Sequence, residues 1–128
     1  MGLSYFENNE MSQAEHQFNL AIAEQRKLLE KEDSQENKEN LSFYYKNKGL
    51  AIYHQAGADN LEKLDEAKAA FEEAIALHRS NADNYFNLGN VYLSENEPNF
   101  EMAHLNFKEA LKLEPGNAKL YHARGLAF

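Results

Sequence analysis

The residues in this chain best suited to chemistry are its five histidines, His16, His54, His78, His104 and His122. Imidazoles bind a metal or relay a proton when two of them share a helix face four residues apart, with a glutamate between. No two of these histidines stand four residues apart, and none belongs to a His-Glu-x-x-His run. Acids occur close together at Glu72-Glu73 and at Glu7 with Glu10. Acid–base work needs one carboxyl desolvated and its neighbour ionised, and nothing around these pairs announces such a pocket. Cysteine is absent, which removes disulfides, zinc-thiolate sites and a thiol nucleophile. No glycine-rich phosphate loop is present, since Gly89-Asn90 falls inside a helical pattern. The reading is of a chain that is not an enzyme and has no cofactor and no metal.

The charge balance narrows the partners. The formal net charge is −8, and nucleic-acid binding depends on Lys and Arg displacing counterions from a polyanion. An anionic membrane surface is disfavoured for the same reason. Most of the excess lies in the first forty residues, where nine acids oppose four bases. No run is apolar enough to span a bilayer, and no apolar signal core follows Met1. The expectations are no nucleic acid, no membrane and a cytoplasmic location.

With no catalytic constellation to position, the elements themselves become the informative feature. Gly and Pro are scarce, and straight-chain residues that lose little freedom in a helix are plentiful. The chain also repeats. The segment from Ala82 to Asn117 carries Tyr85, Leu88-Gly89, Tyr92, Ala103, Phe107, Ala110 and Pro115. Ser42 to Asn81 supplies Tyr45, Gly49, Ile52, Ala67, Phe71 and Ala74 in the same order. Upstream stand Gly2, Tyr5, Ala14, Phe18 and Ala21; downstream, Tyr121, Gly125 and Phe128 begin the series again. At helical spacing each set forms one apolar stripe, with small residues where two helices must approach closely.

This pattern resembles the tetratricopeptide repeat, whose unit is about 34 residues. The resemblance covers nearly the whole chain apart from residues 31–40. It implies an all-α fold, an α-solenoid of antiparallel helix pairs wound into a right-handed superhelix, with about three repeats and a terminal half-repeat. One domain, 1–128, would comprise a partial repeat 2–37, full repeats 42–81 and 82–117, and the first helix of another at 118–128. Because a solitary helix pair cannot bury both its stripes, the pairs must stack. The sequence departs from the family in six extra residues in the turn near Ala56–Lys63, and in two at Pro98-Asn99. Lys48 and Arg124 stand before their glycines in place of Leu, and Arg79 replaces the closing Pro. The long turn reads as a tolerated surface insertion, and the acidic stretch Glu30–Glu39 as a solvated helix end.

Start and stop signals place helices near 2–9, 12–32, 38–56, 62–79, 82–95, 99–113 and 118–127. Ser12-Gln13-Ala14-Glu15 reads as a capping box, and so does Ser80-Asn81-Ala82-Asp83. Pro98-Asn99 and Pro115-Gly116-Asn117 punctuate the rest.

In the resembled family the first helices of successive repeats line a concave groove that holds a protein or peptide partner. The corresponding positions are Phe43, Lys46, Leu50, Tyr53 and His54, then Phe86, Asn87, Asn90 and Leu93, then Lys119 and His122. Asn87 and Asn90 would bond a peptide backbone while Phe86 and Tyr53 take its side chains. The alternative for Phe86 and Leu93 is packing against a neighbouring helix of repeats missing from this sequence. Co-chaperone members of the family grip a C-terminal carboxylate with a Lys-Asn clamp. Lys46, Asn87 and Lys119 match that clamp, whereas Leu50 and Ala123 stand where its Asn and Arg belong. A third reading makes the chain an assembly element, cut from a longer array. Its end residues Leu3, Tyr5, Tyr121 and Phe128 would then make a swapped dimer or a head-to-tail contact.

Overall fold

The computed structural model describes residues 5–56 and 60–117, with residues 5–9 as backbone only. They form five helices: α1 Tyr5–Lys31, α2 Gln35–Gln55, α3 Leu61–Leu77, α4 Ala82–Ser94 and α5 Phe100–Leu113. Each packs on the next in chain order, and α2 also touches α4. The result, among the described residues, is an all-α stack of antiparallel helix pairs, an α-solenoid, with α2–α3 and α4–α5 as its repeated pairs.

The breaks between helices follow from side-chain caps. Ser34 Oγ accepts from the Asn37 amide at 3.1 Å, Asn60 Oδ1 from Lys63 N at 3.1 Å, and Asn99 Oδ1 from Met102 N at 3.1 Å. Each cap satisfies an amide that the first turn leaves unpaired, a contribution of about 1 kcal/mol. At the fourth start, Asn81 and not Ser80 is the cap, with Oδ1 accepting from Asp83 N at 3.0 Å. The α1–α2 turn is held from within. Buried Gln25 donates to the Asn37 backbone and side-chain oxygens at 3.2 Å, and Asn37 Nδ2 donates to the Glu32 carbonyl at 2.9 Å. That bracing starts α2 at Gln35, ahead of the expected 38.

One expectation fails. Helices at 2–9 and 12–32, separated by a Ser12 capping box, are replaced by the unbroken α1. Neither Gly nor Pro lies between Tyr5 and Lys31, so nothing stops propagation, and a Ser-x-x-Glu spacing is equally at home inside a helix. The expected helix 118–127 lies outside the described residues.

The core is made where pairs close. Phe71 and Phe107 are both 0% exposed. Each ring lies against the glycine of the preceding helix: a Cβ on Gly49 would meet Phe71 Cε1 at 2.7 Å, and one on Gly89 would meet Phe107 Cε1 at 2.6 Å. The glycines are therefore sockets for aromatic knobs. Between the pairs, Ile52 of α2, Leu64, Ala67 and Phe71 of α3, and Leu88 and Val91 of α4 form one continuous cluster. Burying a side chain the size of Leu or Phe stabilises by roughly 1.5–3 kcal/mol, so this junction fixes one pair against the next.

Candidate functional site

Helical spacing divides α2 into two faces. Tyr45, Lys48 and Ile52 point one way; Phe43, Lys46, Leu50 and Tyr53 point the other. The second face meets α4 directly. The Tyr53 hydroxyl hydrogen-bonds Ser94 Oγ, and Ser94 Oγ also donates to the Asn90 carbonyl at 2.8 Å. This bridge fixes the C-terminal ends of α2 and α4 side by side, so the two sets of expected groove positions belong to neighbouring helices.

The side chains on this face differ in their freedom. Phe43 is 55% exposed, with the Tyr44 ring edge-on at 5.9 Å and Lys46 Nζ 5.1 Å from its ring centroid. Leu50 and Tyr53 are half-buried against the inter-pair cluster. His54 is exposed, its ring 5.8 Å from that of Tyr53. Asn87 and Asn90 are half-buried on α4. Phe86 and Leu93 serve a second purpose: both pack on the Ala103/Phe107 cluster, and the Phe86 ring centroid is 5.8 Å from that of Phe107. Phe86 thus helps join α4 to α5. Lys119, His122, Leu3, Tyr121 and Phe128 lie outside the described residues, and of Tyr5 only the backbone is described.

Two polar features were not anticipated. Fully buried Asn84 donates to Ser42 Oγ at 3.3 Å, and Ser42 Oγ donates to the Ala74 carbonyl at 2.7 Å. This chain links α4, α2 and α3 in the interior. Its only sequence signal was that Ser42 occupies the small-residue position of Ala82 in the next pair. The second feature is an ionic joint between α3 and α4, where Lys68 pairs with Glu95, lies 3.4 Å from Asp65, and sits 4.7 Å above the Tyr92 ring. Burial by itself would lower the Lys68 pKa, but Glu95 and Asp65 outweigh it and raise the pKa above its ordinary value. Burial raises that of the Tyr92 phenol, helped by Glu72, Glu95 and Asp65 and opposed by Lys68.

The opposite side of α2 borders a cavity of about 500 Å³ shared with α1 and α3, lined by charged groups of both signs, among them Glu15, Arg26, Lys48 and Glu73. Arg26 is tied to the Tyr45 hydroxyl, and Glu15 accepts from Gln55 at 2.9 Å. Among the described residues no three His, Asp or Glu side chains are grouped so as to hold a metal ion, and no helix is long and apolar enough to cross a membrane.

No protein-family model matches this sequence, and no curated protein matches it. Among solved structures, the crystal structure of MamA is similar to this chain, with 21% sequence identity and a TM-score of 0.47, over 99% of this chain and 84% of that one.

Proposed function

We propose that this chain is a protein-interaction scaffold whose α2/α4 face receives an extended or helical segment of a partner protein. The observation that carries the reading is Phe43, a large aromatic left 55% exposed beside Lys46 on a face that the Tyr53–Ser94 bridge makes continuous with α4. An exposed aromatic is an anchor of the kind that dominates interface energy. Leu50 and Tyr53 extend the apolar strip, and Asn87 and Asn90 lie alongside to bond a peptide backbone. The tetratricopeptide-like pattern of the sequence agrees with such a role. The carboxylate-clamp alternative has less support, because the Lys46 ammonium lies over the Phe43 ring and Leu50 supplies no donor.

The test is affinity capture with the intact chain, followed by mass spectrometry, comparing wild type with Phe43→Ala. Partners held by this face are lost with Phe43→Ala while the circular-dichroism spectrum is unchanged. Partners retained in full by that variant would overturn the reading.

A further inference from the structure

The two helix pairs fill one equivalent position with opposite chemistry. Lys48 precedes Gly49 on α2 as Leu88 precedes Gly89 on α4. Leu88 is 5% exposed and belongs to the cluster with Leu64, Ala67 and Phe71 of α3. Lys48 is half-buried and lines the cavity of about 500 Å³ that α2 shares with α1 and α3. Where the second pair has core, the first has an ammonium beside open space.

The charges around this cavity are only partly matched. Glu15 accepts from Gln55 at 2.9 Å and stands 3.9 Å from Lys63, while Glu66 lies 3.6 Å from Lys63. Those two carboxylates are engaged. Among the described residues Lys48 makes neither an ion pair nor a hydrogen bond, and the same holds for Glu73 on α3. Arg26 is held to the Tyr45 hydroxyl, its guanidinium carbon 5.4 Å from that ring's centroid. A guanidinium has five N–H donors, so Arg26 is positioned but not saturated. A partly desolvated ammonium with no counter-ion costs free energy. A bound carboxylate would offset that cost.

We propose that this cavity binds a small zwitterion, a free amino acid or a short peptide. Its carboxylate lies between Lys48 and Arg26, and its ammonium faces Glu73. Both contacts are charge-assisted hydrogen bonds, the stronger kind. The volume falls within the range of about 300–1,000 Å³ that small-molecule sites occupy. On α3, Ala69 and Ala70 stand between Glu66 and Glu73 and leave the room for it. The site is on the opposite side of α2 from Phe43 and does not depend on the α2/α4 face.

The test is a nitrogen-15 NMR titration of the full chain with glycine, leucine, glutamate, lysine and trialanine, each to tens of millimolar. At least one is expected to give saturable shifts at the Lys48 and Ala70 amides, and the strongest binder tells amino acid from peptide. Acetylating the amine of that binder, or amidating its carboxylate, is expected to weaken binding at least about tenfold. Lys48→Leu, which installs the residue found at position 88, and Glu73→Gln, at an exposed position, are expected to weaken it as much with unchanged circular dichroism. Phe43→Ala is expected to bind as wild type does. No saturable shift with any of the five compounds, meaning a cavity that holds water only, overturns the proposal. So does equal binding of the acetylated and amidated forms, full binding by Lys48→Leu, or a loss of binding with Phe43→Ala.

Discussion

The ring of Phe107 occupies the space that a side chain on Gly89 would need. A Cβ there would stand 2.6 Å from Cε1 and 2.9 Å from Cδ1 and Cζ. Phe71 and Gly49 repeat the relationship at 2.7 and 2.9 Å. Alanine would raise the intrinsic helix propensity at either glycine by about 1 kcal/mol, but the ring is fully enclosed and has nowhere to retreat. Overpacking costs about 1–3 kcal/mol. Gly49→Ala and Gly89→Ala are therefore expected to lower the unfolding free energy in urea titrations, and valine to lower it further. Gly116 has no atom within 4 Å of the same construction and no positive φ, so Gly116→Ala is expected to leave stability unchanged or slightly raised.

Ser42 is the middle link of the buried chain from Asn84 to the Ala74 carbonyl. Ser42→Ala deprives Asn84 Nδ2 of its acceptor while the Ala74 carbonyl keeps its bond from the His78 amide, at 3.0 Å. An unsatisfied buried donor costs about 1–3 kcal/mol. The expected loss in chemical denaturation lies in that range, although Ala82 fills the same position in the next pair without harm.

Titration above about pH 10 should weaken the α3–α4 joint. Lys68 and Tyr92 both have folded-state pKa values raised above their ordinary 10.5 and 10.0. The folded chain thus holds these protons more tightly than the unfolded one. Their contribution is fully present below about pH 10 and is lost as pH rises through the folded values. Melting temperatures are expected to fall across that alkaline window, and less steeply in Glu95→Gln, which removes the main partner of Lys68.

Phe43 and Phe86 should separate binding from folding. Phe43 is largely exposed, so Phe43→Ala is expected to change stability by no more than about 0.5 kcal/mol while abolishing partner capture. Phe86 is wedged on Phe107, and Phe86→Ala is expected to cost about 1–3 kcal/mol, below the range for a fully buried ring. Thermal melts of the two variants check both statements.

The four helices from α2 to α5 were legible because each carries the apolar stripe of a repeat, and their ends fall within three residues of expectation, although the Ser34 and Asn60 caps of α2 and α3 were not read. The Phe71 and Phe107 rings were readable as core for the same reason. The socket role of the glycines was less so: periodicity showed that Gly89 and Ala103 should be small, but not that Gly89 faces a ring one turn beyond Ala103. The unbroken α1 was missed because a capping-box spacing has no meaning without a break, and only tertiary context decides whether one occurs. The Ser42–Asn84 link left only a faint signal, the small-residue position that Ser42 shares with Ala82, since Asn84 reads as an ordinary polar position in a helix. Of the groove positions, spacing placed Phe43, Lys46, Leu50 and Tyr53 on one face of α2. It could not tell that Phe86 is occupied in joining α4 to α5, which depends on how the pair crosses.

The seating of phenylalanine rings on glycines sets both the pairing and the register of the stack, and proton NMR reads it directly. The account predicts nuclear Overhauser contacts from the Gly49 and Gly89 α-protons to the Phe71 and Phe107 ring protons respectively, with ring-current shifts at both glycines. Random-coil α-proton shifts at Gly49 and Gly89, without those contacts, would contradict it.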